Sequence, residues 1–156
     1  MPVLNYDWDD LEDNIVEEYD DAGVAVAEYT TEPDLYGNVI SQNRGGIESH
    51  FHFDALGSTL ALTDDNQQVT DTRAYSAFGE TTESTGSTAF PFQFIGQREY
   101  YRDAMMGHYR VRRRAYVAIN SSWIAVDPLH RRETQSRYVY VRNRPPVLTD
   151  PSGEVE

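Results

Sequence analysis

Two dipeptides late in the chain, Asp127-Pro128 and Asp150-Pro151, carry the side chains best suited to chemistry. Two carboxylates brought together share one proton, so that one serves as base and the other as acid. A proline after each aspartate biases that aspartate to extended backbone and holds a turn. Asp-Pro is also an ordinary turn dipeptide, so the residues alone leave both readings open. His50 and His52 lie on one face of a strand, as metal ligands can. No third ligand accompanies them, and they read as surface or interface histidines, so neither a metal nor a cofactor is expected. The chain has no nucleophile-elbow spacing and no glycine-rich phosphate loop.

The elements that must position the two aspartates are strands. From Gly23 onward the hydropathy alternates with period two. Val24 and Val26 alternate with Ala25 and Ala27, and Phe51 and Phe53 with His50 and His52. Runs over 59–63, 69–75, 109–117 and 137–142 behave alike. Residues 8–19 place Leu11 and Ile15 on one helical face, but Asp and Asn are weak helix formers, and strand and turn are expected there. A short phrase recurs between the strands. Phe53-Asp54-Ala55-Leu56-Gly57 returns as Tyr75-Ser76-Ala77-Phe78-Gly79, with looser copies at Tyr19–Gly23 and Pro33–Gly37. Gly23, Gly37, Gly57 and Gly79 are therefore expected at positive φ, each turn opened by a packing aromatic. Each repeat is one hairpin that cannot bury its apolar face alone, so successive hairpins must stack into a continuous sheet.

Composition narrows the function classes. The 156 residues carry a formal charge of −13, with no Lys and no Cys. Disulfides and thiolate metal sites are excluded, and the compartment stays open. Residues 1–90 hold 19 acids against 2 Arg, whereas 91–156 hold 7 acids against 11 Arg. The Arg-rich end is expected to dock on the acidic beginning of the same chain, or of a longer parent chain, since an all-Arg basic set favours planar, bidentate pairing. Nucleic acid is not an expected partner, because the net charge repels phosphate. No apolar run is long enough to span a membrane. The first residues lack the basic start and apolar stretch of a signal peptide. The abundant Tyr reads mainly as inter-strand packing. A sugar-stacking surface is the alternative, and it requires an exposed row of Tyr or Trp.

The order of these motifs resembles the tyrosine–aspartate (YD) repeats and repeat-associated core of Rhs proteins. The repeat phrase is followed by Phe92-Gln93-Phe94-Ile95-Gly96-Gln97, then by Gly107-His108-Tyr109-Arg110-Val111-Arg112-Arg113-Arg114-Ala115-Tyr116. Val126-Asp127-Pro128-Leu129 comes next, and 138–153 closes on Thr149-Asp150-Pro151-Ser152-Gly153. The resemblance covers about residues 14–153. It implies a spiral β-sheet shell that encloses a C-terminal toxin, and a core that closes one end. In many members the core cuts the chain just after the last motif. Asp127 and Asp150 match the family's aspartate pair, with Pro151, Gly153 and Glu154 at the cleavage region. Two positions depart from the pattern. Ser122-Trp123 stands where the family has arginine and an aromatic, and Glu154 replaces a leucine. Arg114, Arg131 and Arg132 are the candidates to substitute in space for the arginine. A cut at Gly153 or Glu154 would release three or two residues.

The resulting expectation is a mostly β protein of stacked antiparallel hairpins with a short C-terminal plug. Its parts are an acidic segment 1–13, YD-repeat hairpins 14–90, a core 91–153 and a tail 154–156. The expected role is a non-enzymatic structural and interaction module of the Rhs type, working with protein partners: an upstream shell, a toxin or another copy. The alternatives are a self-cleaving aspartyl peptidase and a cell-surface carbohydrate-binding adhesin fragment. Localisation follows only from the family context, which is secreted or cell-surface.

Overall fold

The computed structural model describes residues 5–128 and 136–154. Eight strands form one antiparallel meander in chain order: β1 (Asn5–Asp9), β2 (Asn14–Tyr19), β3 (Ala25–Thr31), β4 (Val39–Arg44), β5 (Ile47–Phe53), β6 (Thr59–Thr63), β7 (Val69–Tyr75) and β8 (Thr81–Thr85). A second antiparallel sheet holds β9 (Tyr101–Arg102), β10 (Tyr109–Val111), β11 (Arg114–Val117) and β12 (Ser122–Trp123) in the order β12-β11-β10-β9. Among the described residues no helix is long and apolar enough to cross a membrane. Residues 8–19 form parts of β1 and β2 and the turn between them. The expected strand at 137–142 does not form. Val139 makes one isolated bridge to Ser122, and Val141, Arg142 and Asn143 follow at φ 39°, 55° and 57°. Three successive left-handed residues cannot continue a strand.

The repeated phrase encodes one turn at three of its copies, and Asp64–Gln67 adopts the same turn without the phrase. Asp20 Oδ1 accepts the backbone N–H groups of Ala22 and Val24, both at 2.9 Å. Asp54 Oδ1 accepts those of Leu56 (2.9 Å) and Ser58 (2.8 Å), and Asp64 Oδ1 those of Asn66 and Gln68 (2.9 Å each). Ser76 Oγ accepts the Glu80 N–H at 3.1 Å. In each turn the fourth residue is left-handed: Gly23 (φ 74°), Gly57 (93°), Gln67 (62°) and Gly79 (91°). The aromatics Tyr19, Phe53 and Tyr75 sit where the strand register slips by a residue, so each marks a bulge leading into its turn. Gly37 differs from the expectation. The left-handed residue there is Tyr36 (φ 58°), and Gly37 is needed for space: a Cβ would come 2.0 Å from the Glu32 carbonyl oxygen.

Two apolar clusters lie under the sheets. The first-sheet cluster gathers Ile15, Ala27, Tyr29, Val39, Phe51 and Leu62 against Phe90, Phe92 and Tyr101. The second gathers Phe94, Ile95, Tyr100, Tyr109, Val111, Tyr116, Trp123 and Tyr140. Residues 90–95 therefore thread across the inner face of the eight-stranded sheet. Phe92 meets Tyr29 edge-on at 4.8 Å, and Phe94 packs against Tyr75 at 6.2 Å. The rings that suggested a sugar-stacking surface are here. Tyr100, Tyr109, Tyr116 and Tyr140 are fully buried, and Tyr138 alone of the described Tyr and Trp residues is exposed. The exposed row that a carbohydrate site requires is not formed, because the rings fill the space between the sheets.

The Arg-rich end does meet the acidic beginning. Arg112, only 3% exposed, donates through Nε to the Asp13 carbonyl (3.0 Å) and through Nη1 to the carbonyls of Arg98 (3.1 Å) and Pro151 (2.8 Å). Its Nη2 lies 3.3 Å from Glu99 Oε2, and its plane covers the Tyr36 ring at 4.2 Å. Glu99 Oε2 also accepts the Ile15 N–H at 3.1 Å. One guanidinium thus ties the β1–β2 turn, the single-turn 3-10 helix Gly96–Arg98 before β9 and the C-terminal segment.

Two tests follow from this packing. Gly79→Ala sets a Cβ 2.5 Å from the Phe94 ring in a left-handed turn, whereas the same change at Gly23 meets nothing within 4 Å. Urea titration should show Gly79→Ala losing about 1–3 kcal/mol more than Gly23→Ala, the overpacking cost added to a shared backbone cost. Burial pushes the Glu99 carboxyl up from 4.5 to about 8, a rise that the Ile15 N–H and Arg112 only partly oppose. Between those values the folded state keeps a proton that the unfolded chain has lost, so this residue's contribution to stability falls as pH rises from about 4.5 to about 8. Glu99→Gln should flatten that stretch of the pH dependence of the thermal midpoint. An unchanged slope would mean that Glu99 is ionised in the folded protein.

Candidate functional site

The β10–β11 hairpin positions the site. Its two-residue turn, Arg112-Arg113, is possible because Arg112 adopts φ 42°. Alternation then points Arg114, the first residue of β11, inward beneath the second sheet. Its side chain is 2% exposed, with Trp123 of β12 stacked on it at 4.1 Å from ring centroid to guanidinium carbon. Trp123 is placed there by its pairing with Tyr116.

Arg114 gathers the sequence-nominated residues. Its Nη2 donates to Asp150 Oδ2 at 3.0 Å, and its Nη1 lies 3.8 Å from Asp127 Oδ2, an ion-pair distance. Its Nε donates to the Gly153 carbonyl oxygen. Asp127 is 7% exposed and Asp150 is fully buried. The two Asp-Pro segments thus share one buried cation. Asp127 is fixed by its N–H to the Arg137 carbonyl at 3.0 Å. Asp150 Oδ1 accepts the Ser152 hydroxyl and the Glu154 N–H, both at 3.2 Å. The Gly153–Glu154 peptide is therefore held at both ends, its carbonyl by Arg114 and its N–H by Asp150. Gly153 has φ 72°, and a Cβ there would come 2.5 Å from the Val111 carbonyl oxygen, so no other residue fits without movement. Pro151 contributes its carbonyl to Arg112.

Two tyrosines complete the surround. The Tyr100 hydroxyl donates to the Asp150 carbonyl at 2.8 Å and receives the Asp150 N–H at 3.2 Å, and it lies 3.2 Å from the Tyr140 hydroxyl. Burial raises the pKa of both phenols, so both stay protonated. A buried tyrosine reads from the sequence as packing, and its ring gives no signal of what its hydroxyl will touch. Arg114 was one of three arginines nominated to stand in for the one missing at Ser122, and it reaches both aspartates. Arg131 and Arg132 lie outside the described residues.

The two histidines are elsewhere. His50 Nε2 is 3.3 Å from Asp65 Oδ1, and His52 Nε2 is 2.9 Å from Thr63 Oγ1. Among the described residues no group of three or more His, Asp or Glu is arranged to hold a metal ion.

No protein-family model matches the chain. It is 25% identical over 155 residues, 97% of its length, to the tRNA3(Ser)-specific nuclease WapA of Bacillus spizizenii, of which it spans 7%. The structure superimposes on a chain of TcdB2-TccC3-Cdc42 with a TM-score of 0.69 at 18% identity, covering 88% of this chain and 7% of that one. It superimposes on a chain of the Photorhabdus luminescens Tc holotoxin pore with a TM-score of 0.63 at 14% identity, covering 97% of this chain and 10% of that one. The protein shares with these toxin structures the fold of one small segment of them.

Proposed function

We propose that this chain is the closing core module of an Rhs-type β-shell, a structural and interaction element associated with a toxin. One observation carries the reading. Residues 90–95 lie along the inner face of the eight-stranded sheet, with Phe90 and Phe92 in its apolar cluster and Phe94 in that of the second sheet. Residues 91–153 are then the plug and 14–90 the last hairpins of the wall, with 1–13 and 154–156 as its ends. Among the described residues β1 and β8 each pair on one side only, which suits continuation of the wall by protein strands, from an upstream segment or another copy. Likeness to toxin proteins favours a secreted or cell-surface setting. The nuclease activity in WapA's name is not carried over, since the chain corresponds to 7% of that protein.

The plug reading has a direct test, because one Trp lies in each sheet: Trp8 in β1 and Trp123 in β12. In Trp8→Phe and Trp123→Phe, the remaining fluorophore reports one sheet at a time. Coincident urea transitions are expected, and Phe92→Ala, at about 3–5 kcal/mol for an emptied aromatic site, should separate them. Separate transitions in the parent would mean that the second sheet does not plug the first.

A second reading, self-cleavage by the aspartate pair, is favoured by the hold on the Gly153–Glu154 peptide. Arg114 Nε would stabilise negative charge on the Gly153 oxygen as water adds to that carbonyl carbon. Asp127 and Asp150 share the proton traffic: one carboxylate takes a proton from the water, and the other delivers one to the Glu154 nitrogen as the C–N bond breaks. The products are a carboxylate at Gly153 and an amine at Glu154. Intact mass after incubation between about pH 5 and 8 reads this out. The expected result is loss of residues 154–156, or of 155–156 if the bond is the next one, abolished by Asp127→Asn, Asp150→Asn and Arg114→Gln. An unchanged mass in the parent would leave the aspartates as turn residues and the site as a structural clasp.

A further inference from the structure

Away from the aspartates, a cavity of about 460 Å³ opens between the inner face of β1–β4 and the β9–β10 hairpin. That volume is in the range of small-molecule sites, about 300–1,000 Å³. Its walls are aromatic: Tyr6 and Tyr101 lean together at 5.1 Å between centroids, with Phe90 beside them. The exposed side chains of Met105 and Met106 line its mouth. They are held there because Asp103 Oδ1 accepts both of their N–H groups at 2.9 Å. Methionine is polarisable and unbranched, and adapts to varied apolar shapes.

The polar inventory is one-sided. Of the acceptors, Glu18 Oε1 already takes the Tyr29 hydroxyl (2.6 Å) and Oε2 the Arg44 Nη2 (2.8 Å). The carbonyls of Ala89, Phe90 and Pro91, which form one wall, accept Gln42 Nε2 (3.0 Å), Gln93 Nε2 (3.1 Å) and the Arg102 N–H (2.9 Å). Donors are in surplus. Arg44 Nε is buried without a hydrogen-bond partner among the described residues. Arg110, half-exposed at the rim, donates to the Tyr6 hydroxyl through Nη1 and reaches Asp103 only at 3.5 Å through Nη2. A guanidinium has five donors and no acceptor. An apolar cavity whose named acceptors are engaged and whose two guanidiniums each keep unused donors selects a ligand that brings an acceptor on an apolar body.

We propose that this cavity binds a carboxylate attached to an aromatic or branched apolar group, with the ring against Tyr6, Tyr101 and Phe90 and the carboxylate at Arg110 and Arg44. A free aromatic acid and the C-terminus of a peptide ending in an aromatic residue both present that chemistry.

Isothermal titration with 2-naphthoate tests it, with 2-naphthamide as the uncharged probe of the same shape. A peptide ending in Phe and its C-terminal amide distinguish the second source. The expected result is saturable 1:1 binding of at least one acid, at least tenfold tighter than its amide. Arg110→Gln should remove that preference. Ala104→Trp, at an exposed lining position, should abolish binding with the thermal midpoint retained. No binding by either acid, equal binding of acid and amide, or binding unaffected by Ala104→Trp would each overturn the assignment.

Discussion

Two buried guanidiniums on one short hairpin organise this protein. Arg112 and Arg114 are two residues apart, each at most 3% exposed, and between them they touch the β1–β2 turn, Glu99, both Asp-Pro segments and the Gly153 carbonyl. Taking an unpaired cation out of water costs of the order of several kcal/mol, so neither side chain can be buried until its partners are in place. Those partners come from the first strands and the last residues. The cost of an incomplete set is therefore what couples the two ends of the chain. Arginine suits this task and lysine does not, because a planar fork can bind three or four acceptors at fixed angles.

The backbone around these residues is held in sparsely populated conformations. Ile95, Glu99, Arg112, Ser121 and the 141–143 run are all left-handed without being glycine. Each such residue costs of the order of 1 kcal/mol and persists only where its surroundings over-determine it. The first sheet mostly places its positive φ on glycine, with Asp13, Tyr36 and Gln67 the exceptions. The hairpins are thus locally encoded, whereas the C-terminal part is shaped by what it packs against. That contrast suits the proposed wall of repeats with an end piece fitted to it.

The same logic separates the two polar sites. At the aspartates, the cation, carboxylates and peptide dipole are nearly all matched with one another. In the cavity near β1, donors outnumber free acceptors, an arrangement suited to something brought from outside. Both depend on β10, which sends Arg110 to the cavity and leads into the turn that presents Arg112 and Arg114.

The sequence by itself determined the strands and their turns. Alternation with period two and an Asp or Ser three residues before a glycine are local signals, and an Asx-type turn needs nothing beyond its own few residues. Even so, Gln67 closes the same turn without a glycine, and Gly37 serves clearance and not φ, because a glycine does not reveal which of its freedoms is used. The order of the motifs likewise nominated Asp127, Asp150 and Gly153. Only the tertiary structure decided that Arg114 joins the aspartates, that Tyr100 clasps Asp150 by its backbone, and that 137–142 is not a strand. Those outcomes depend on contacts between segments 13 to 50 residues apart. Such contacts are set by burial and by the cost of unmatched charge, which no local pattern records.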